Sequence, residues 1–211
     1  EALVVRELVT DGDQRAAILG TSFLIGRASG ALAYLLAVIT IMVLRPGDRL
    51  ALLLVTLLGS SLLFQATEVI DLWFQSRVAS RYAVMARIAA FLVSSGAKLA
   101  CVLAGASLTA VALATAAEAL LVACGLVVVY LLRAERLSSW RWDGARFRAL
   151  VRSAMPMVLS GVVLMIYLRI DQVMLGALAS EAEVGFYAAA VRISEVWYFV
   201  PAAIVSSLFP R

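Results

Sequence analysis

Residues 108–132 read LTAVALATAAEALLVACGLVVVYLL, and Glu118 is the one charged side chain in the run. At ~1.5 Å per helical residue such a segment crosses a hydrocarbon layer ~30 Å thick. A helix also satisfies its backbone polar groups internally, which the bilayer interior demands. Working outward, similar apolar runs fall at 16–44, 50–74, 83–105, 154–178 and 184–209. The expected fold class is all-α: a polytopic membrane bundle of about six transmembrane helices. Composition agrees, since 64% hydrophobic against 15% charged residues and a mean hydropathy of +0.98 over 211 residues are too apolar for an ordinary soluble domain.

The breaks between runs carry turn chemistry. Arg45-Pro46-Gly47-Asp48 and Gly105-Ala106-Ser107 read as tight turns, and Ser180 to Gly185 as a short acidic one. Such short links imply antiparallel neighbours. Glu1 to Val9 resembles neither a signal peptide nor a usual translation start, and Leu208 to Arg211 stops at the edge of an apolar run, so an internal fragment is expected.

The net charge of +4 arises almost wholly from arginine, with Lys98 the lone lysine. Its placement speaks for topology rather than for nucleic acid. Arg6, Arg15, Arg77, Arg81, Arg133, Arg136, Arg141, Arg146, Arg148 and Arg152 fall on one side of the expected membrane, and Arg45 and Arg49 on the other. The positive-inside rule makes the first side, and both chain ends, cytoplasmic. The link 133–153 is the longest and most basic. Within it Phe147, Leu150, Val151 and Ala154 fall at helical spacing opposite Arg146, Arg148 and Arg152. That pattern is either an amphipathic helix on the membrane surface, with Trp140 and Trp142 at headgroup level, or a plain solvated linker. No histidine is present, which excludes imidazole metal sites, Ser-His triads and imidazole proton relays. Cys101 and Cys124 lie inside apolar runs and receive no role.

The most specific text is in the last two runs: Met155-Pro156, Tyr167-Leu168-Arg169-Ile170-Asp171-Gln172-Val173-Met174-Leu175-Gly176, Glu183-Val184-Gly185-Phe186-Tyr187-Ala188-Ala189-Ala190 and Ser207-Leu208-Phe209-Pro210. Together with Val4-Val5-Arg6-Glu7, Leu19-Gly20-Thr21, Trp73-Phe74-Gln75-Ser76-Arg77, Ser80-Arg81-Tyr82 and Ser94-Ser95 before Lys98-Leu99, this resembles the Wzx-type O-antigen and polysaccharide flippases of the multidrug, oligosaccharidyl-lipid and polysaccharide exporter superfamily. The resemblance implies two pseudo-symmetric halves around a central cavity. Residues 1–132 would end the first half, 133–153 would be the connection, and 154–211 would start the second, so that the chain runs from about the third span to the eighth. It also implies a bacterial cytoplasmic-membrane location and a lipid-linked oligosaccharide as cargo. Membrane lipids, a polysaccharide polymerase and other assembly proteins would be its partners.

Charges inside the spans are costly, ~2.5–3.5 kcal/mol each at the bilayer centre on insertion scales, so each needs a partner, a cavity or a route to the surface. The anionic pyrophosphate of the implied cargo makes Arg27, Lys98, Arg169 and Arg192 candidates for a cationic cavity. Glu118, Asp171 and Glu195 are candidates for ion coupling or for buried pairs. Lys98 and Glu118 lie at comparable depth on antiparallel neighbours, so they either pair or face a wet cavity. Arg169 and Asp171 point apart on one helix and need separate partners, and Asp171, Arg192 and Glu195 are expected to form a network. Glu68 and Asp71 share a face as a candidate cytoplasmic gate, with Arg77 or Arg81 as counter-charge, while Arg87 is expected to reach for headgroups. Gly26 and Gly30 form a GxxxG pair, Ser94-Ser95-Gly96 is a second small-residue cluster, and Pro156 and Pro201 mark possible bends.

The expectation is therefore a transporter working by alternating access and not an enzyme, with no cofactor, no metal and H⁺ or Na⁺ as the coupling ion. Alternatives are a lipid II flippase or multidrug exporter, a membrane-embedded glycosyltransferase or polymerase, and a structural scaffold.

Overall fold

The computed structural model describes residues 2–10, 14–133 and 139–201. Every regular element among them is helical: α1 (Ala2–Thr10), α2 (Arg15–Leu44), α3 (Arg49–Gly59), α4 (Ser61–Phe64), a 3-10 turn (Gln65–Thr67), α5 (Glu68–Ser76), α6 (Arg81–Leu103), α7 (Leu108–Arg133), α8 (Gly144–Leu178) and α9 (Glu181–Val196). Among the described residues five segments are long and apolar enough to cross a membrane: Arg15–Leu44, Arg49–Ser76, Arg81–Leu103, Leu108–Arg133 and Gly144–Leu178. The fold is thus the all-α, multi-pass bundle that the apolar runs dictate. Part of the run at 184–209 lies outside the described residues.

Turn chemistry sets the ends of the helices. Gly47, at φ +93°, opens the link before α3, and the Asp48 side chain caps α3 by accepting from the Ala51 amide at 2.9 Å. At the far end of α6, Gly105 takes φ +64°, and the amides of Gly105 and Ala106 bond back to the carbonyls of Val102 and Cys101 at 3.1 and 2.9 Å. This is a Schellman closure, and a side chain at Gly105 would strain it. Ser180 and Glu183 form a reciprocal capping box at the start of α9. The bonds from Ser180 hold the Glu183 carboxyl below its usual range, so the cap's contribution is present at neutral pH and fades as pH falls through that lowered value.

The chain divides into two compact units, Glu1–Arg152 and Ser153–Arg211. In the first, α6 and α7 form an antiparallel hairpin, α2 runs beside α3 to α5, and α1 packs on α5. Its core sits at the basic end and contains Leu8, Ile18, Leu19, Val69, Ile70, Phe74, Ala83, Leu126 and Tyr130. Most other apolar side chains of the spans are exposed, Leu103 at 79% and Leu132 at 75% for instance, so hydrocarbon rather than internal packing must solvate them.

The second span is the irregular one. It passes from α3 through α4 and a 3-10 turn into α5, and loosens its hydrogen-bond ladder near mid-depth. α2 lies close against this stretch, because a Cβ on Gly26 would stand 3.1 Å from Ala66 Cα and one on Gly30 would collide with the Leu62 carbonyl. The GxxxG pair is a true contact. Gly30→Val is expected to separate α2 from α4 and cost about 3 kcal/mol, at the upper end for overpacking because backbone is what it meets. Thermal unfolding in detergent micelles should show the loss, while Gly96→Val, where nothing lies within 4 Å, changes little.

The amphipathic stretch is not a separate surface helix: it forms the first turns of α8, which continues unbroken through Pro156. Its apolar residue Leu150 is buried, and Arg146 is tied to Glu7 at 2.9 Å. The stretch 139–143 is tied to α2 by its backbone, although Arg141 and Trp142 are exposed. The Arg141 amide donates to the Ala16 carbonyl at 2.9 Å, and the Asp143 amide to the Thr21 hydroxyl at 3.1 Å. Trp140 donates to the Tyr130 hydroxyl at 3.1 Å, at the basic end of α7. The Pro201 expectation is refined. α9 breaks at Trp197 and Tyr198, four residues earlier, where the proline ring would clash with the Trp197 carbonyl; the Val200 amide takes that carbonyl instead at 3.2 Å.

Candidate functional site

The break in the second span leaves an open groove of about 340 Å³ between α4 to α5 on one side and α6 and α7 on the other. Ser61, Gln65, Thr67 and Thr115 line it with neutral polar groups, and Glu68, Arg87 and Glu118 with charged ones. Glu118 stands ~15 Å along α7 from its first residue, near the middle of a hydrocarbon layer. A polar hollow at that depth needs water or a ligand to solvate it.

At one end of the groove Arg87 donates to Glu68 and, at 2.9 Å, to Asp71. The expected partners Arg77 and Arg81 are engaged elsewhere: Arg77 lies over the Trp73 ring and Arg81 over that of Tyr82. Arg87 does not reach for headgroups. Antiparallel packing brings it, from one turn inside α6, level with the start of α5, where a carboxylate pair is a nearer partner than the membrane surface.

Farther along, Lys98 donates to Glu118 Oε2 at 2.6 Å, and the Ser94 hydroxyl donates to the same oxygen at 2.8 Å. Of the two open readings, the Lys98–Glu118 pair forms, and Glu118 also faces the groove. The Glu68–Asp71–Arg87 cluster retains one excess negative charge, while the Lys98–Glu118 pair is balanced. The groove within this unit is therefore not a cationic surface.

Arg27 donates to the Leu63 carbonyl at 2.9 Å, where the α-to-3-10 transition disturbs the ladder. The guanidinium thus serves a backbone carbonyl of the irregular second span.

In the second unit Arg169 pairs with Glu195 at 3.0 Å, and Asp171 accepts from the Tyr187 hydroxyl and from the Gln172 amide. Arg169 and Asp171 do take separate partners. The network of Asp171, Arg192 and Glu195 does not form, because Glu195 is held by Arg169 and Asp171 by a tyrosine the sequence reading passed over. Arg192 makes no ion pair among the described residues.

A family model for polysaccharide biosynthesis proteins matches residues 2–211. The chain belongs to this polysaccharide biosynthesis protein family. Neither the curated proteins nor the solved structures gave a match. Membership agrees with the resemblance read from the last two spans and sets the polar groove inside a multi-pass membrane protein of polysaccharide assembly.

Family membership does not single out residues; the geometry sorts them. Lys98 and Arg169 have carboxylate partners, whereas Arg27 has a neutral carbonyl and, among the described residues, no carboxylate. Sequence reasoning missed Arg87 as the centre of a cluster, Gln65 and Thr67 on the groove, and Tyr187. The interruption of span two by Ser60, Ser61, Gln65, Thr67 and Glu68 was the available signal, a polar cluster mid-way through an otherwise apolar run.

Proposed function

We propose that the chain is part of a transporter that moves polyprenyl-pyrophosphate-linked oligosaccharide across the bacterial cytoplasmic membrane by alternating access, for surface polysaccharide assembly. The observation that carries this reading is a mid-membrane polar groove in a chain of the polysaccharide biosynthesis family. Sugars need such a path because their hydroxyls cannot enter hydrocarbon unsolvated. The pyrophosphate needs cations, and Arg27 and Arg192 are the candidates among the described residues whose charge no carboxylate offsets. Lys98 and Arg169 act as structural partners in this scheme. The transport step forms and breaks no covalent bond, so the chain is not an enzyme.

Complementation of a strain lacking its own flippase tests this, with the complete protein expressed and surface polysaccharide scored. Arg27→Gln and Arg192→Gln should each lower export about tenfold at unchanged protein level, the worth of one charge-assisted phosphate contact. Full export from both variants would remove the cationic role.

The excess negative charge around Glu68, Asp71 and Arg87 favours a second reading, an exporter of cationic compounds within the same superfamily. Energised efflux of a cationic dye without rescue of polysaccharide export would select it.

A further inference from the structure

At the basic end of the first unit three arginines rest on one continuous aromatic cluster. Trp73 packs edge-on against Phe74 and Tyr130 with ring centroids 4.9 and 5.3 Å apart, and Phe74 lies 6.0 Å from Tyr82. Arg81 and Arg133 both stand over the Tyr82 ring, at 4.7 and 4.8 Å from its centroid, and Arg77 stands 5.6 Å from that of Trp73. All three are exposed. None forms an ion pair with a carboxylate among the described residues. Two like charges on one phenol ring repel each other, and the cation–π attraction at exposed sites, ~0.5–1 kcal/mol each, offsets that only in part.

The turn between α5 and α6 supplies a second, independent observation. Val78 lies between Arg77 and Arg81 with φ +55° and is 96% exposed. A β-branched residue at positive φ is strained, and backbone strain of this kind gathers at ligand clamps and switches. Here it puts an apolar side chain at the surface beside three cations, the pattern of a group that meets both acyl chain and headgroup.

The geometry points to a binding site for the phosphate or pyrophosphate head of a lipid, formed by Arg77, Arg81 and Arg133 on the Trp73–Tyr82 platform, with Val78 against the acyl chain. The ring contacts hold each guanidinium near the aromatic cluster while leaving N–H donors free to meet an anion; Arg81 spends one on the Tyr82 hydroxyl at 2.8 Å. A doubly charged head would offset the repulsion that the site now carries. The inference rests on the transport reading only for the identity of the lipid: a bilayer phospholipid or the cargo's own pyrophosphate presents the same chemistry.

Binding is measured by native mass spectrometry on the full chain in neutral detergent, titrated separately with phosphatidylglycerol, phosphatidylcholine and farnesyl pyrophosphate. The double variant R81Q/R133Q should bind the anionic lipids at least about tenfold more weakly, since two phosphate contacts are lost. R45Q/R49Q at the opposite end should change binding less than about twofold, and R81K/R133K, which keeps charge but not the fork, should fall between. Farnesyl pyrophosphate bound well above phosphatidylglycerol assigns the site to the cargo, and the reverse order assigns it to the bilayer. Unchanged binding in R81Q/R133Q, an equal loss in R45Q/R49Q, or phosphatidylcholine bound as tightly as either anion overturns the proposal. Retained helicity by circular dichroism excludes misfolding of the double variant; if it does unfold, R81Q and R133Q singly decide. Because no transport is scored, failure here leaves the export test above untouched, and the converse also holds.

Discussion

Replacing Lys98 by Met is expected to destabilise the α6–α7 hairpin by about 3 kcal/mol, and adding Glu118→Leu to recover most of that loss. The pair is close, at 2.6 Å, and the two side chains are 29% and 26% exposed. Removing the ammonium leaves a largely buried carboxylate without its counter-charge, with the Ser94 hydroxyl as its remaining side-chain partner among the described residues and one edge on the groove. Removing both charges eliminates the desolvation cost together with the attraction, which is why such a double replacement is often neutral. Reversible unfolding in bicelles, run as a double-mutant cycle, measures the coupling. Equal losses from the single and double variants would mean that the pair contributes packing and no charge compensation.

Arg87→Met is the second large effect. It leaves Glu68 and Asp71 facing one another without a counter-charge, and a cost of about 2–3 kcal/mol is expected. That is below the range for a fully buried partner, because Arg87 and Glu68 are 38% and 40% exposed in this chain. Asp71, at 16%, is the partner that cannot escape to solvent. Adding Glu68→Gln to Arg87→Met should restore more stability at neutral pH than adding Arg81→Gln, since Arg81 is engaged with Tyr82. The same unfolding assay compares the two. Equal outcomes would show that Arg87 does not balance these carboxylates.

The bundle was legible because span length and turn residues are local signals: runs such as 108–132 need no knowledge of their neighbours, and the turns at Gly47 and Gly105 use the glycines a positive φ requires. Pairings were legible only where geometry left one choice. Lys98 and Glu118 share a depth on adjacent antiparallel helices, so the pair could be anticipated. Glu68 and Asp71 had three arginines within reach. Arg77 and Arg81 go to aromatic rings that only the folded chain brings near, and Arg87 takes the carboxylates. Glu195 similarly had Arg192 three residues away, yet pairs with Arg169 across the hairpin. Helix faces predict neighbours along one element, whereas rotation between elements decides which neighbour wins. The groove itself was hidden because it depends on a short 3-10 interruption that hydropathy averages away.

Water in that groove is the claim on which the transport account stands. In a background with Cys101 and Cys124 changed to Ala, single cysteines at Ser61 and Thr115 on the groove, and at Leu92 and Val93 on exposed apolar faces midway along α6, can be challenged with a membrane-impermeant thiol reagent in the complete protein. The account predicts labelling of the first two in at least one transport state, at a rate about tenfold or more above the second two, since the thiolate needs water to form. Ser61 and Thr115 as inert as Leu92 and Val93 in every state would contradict it.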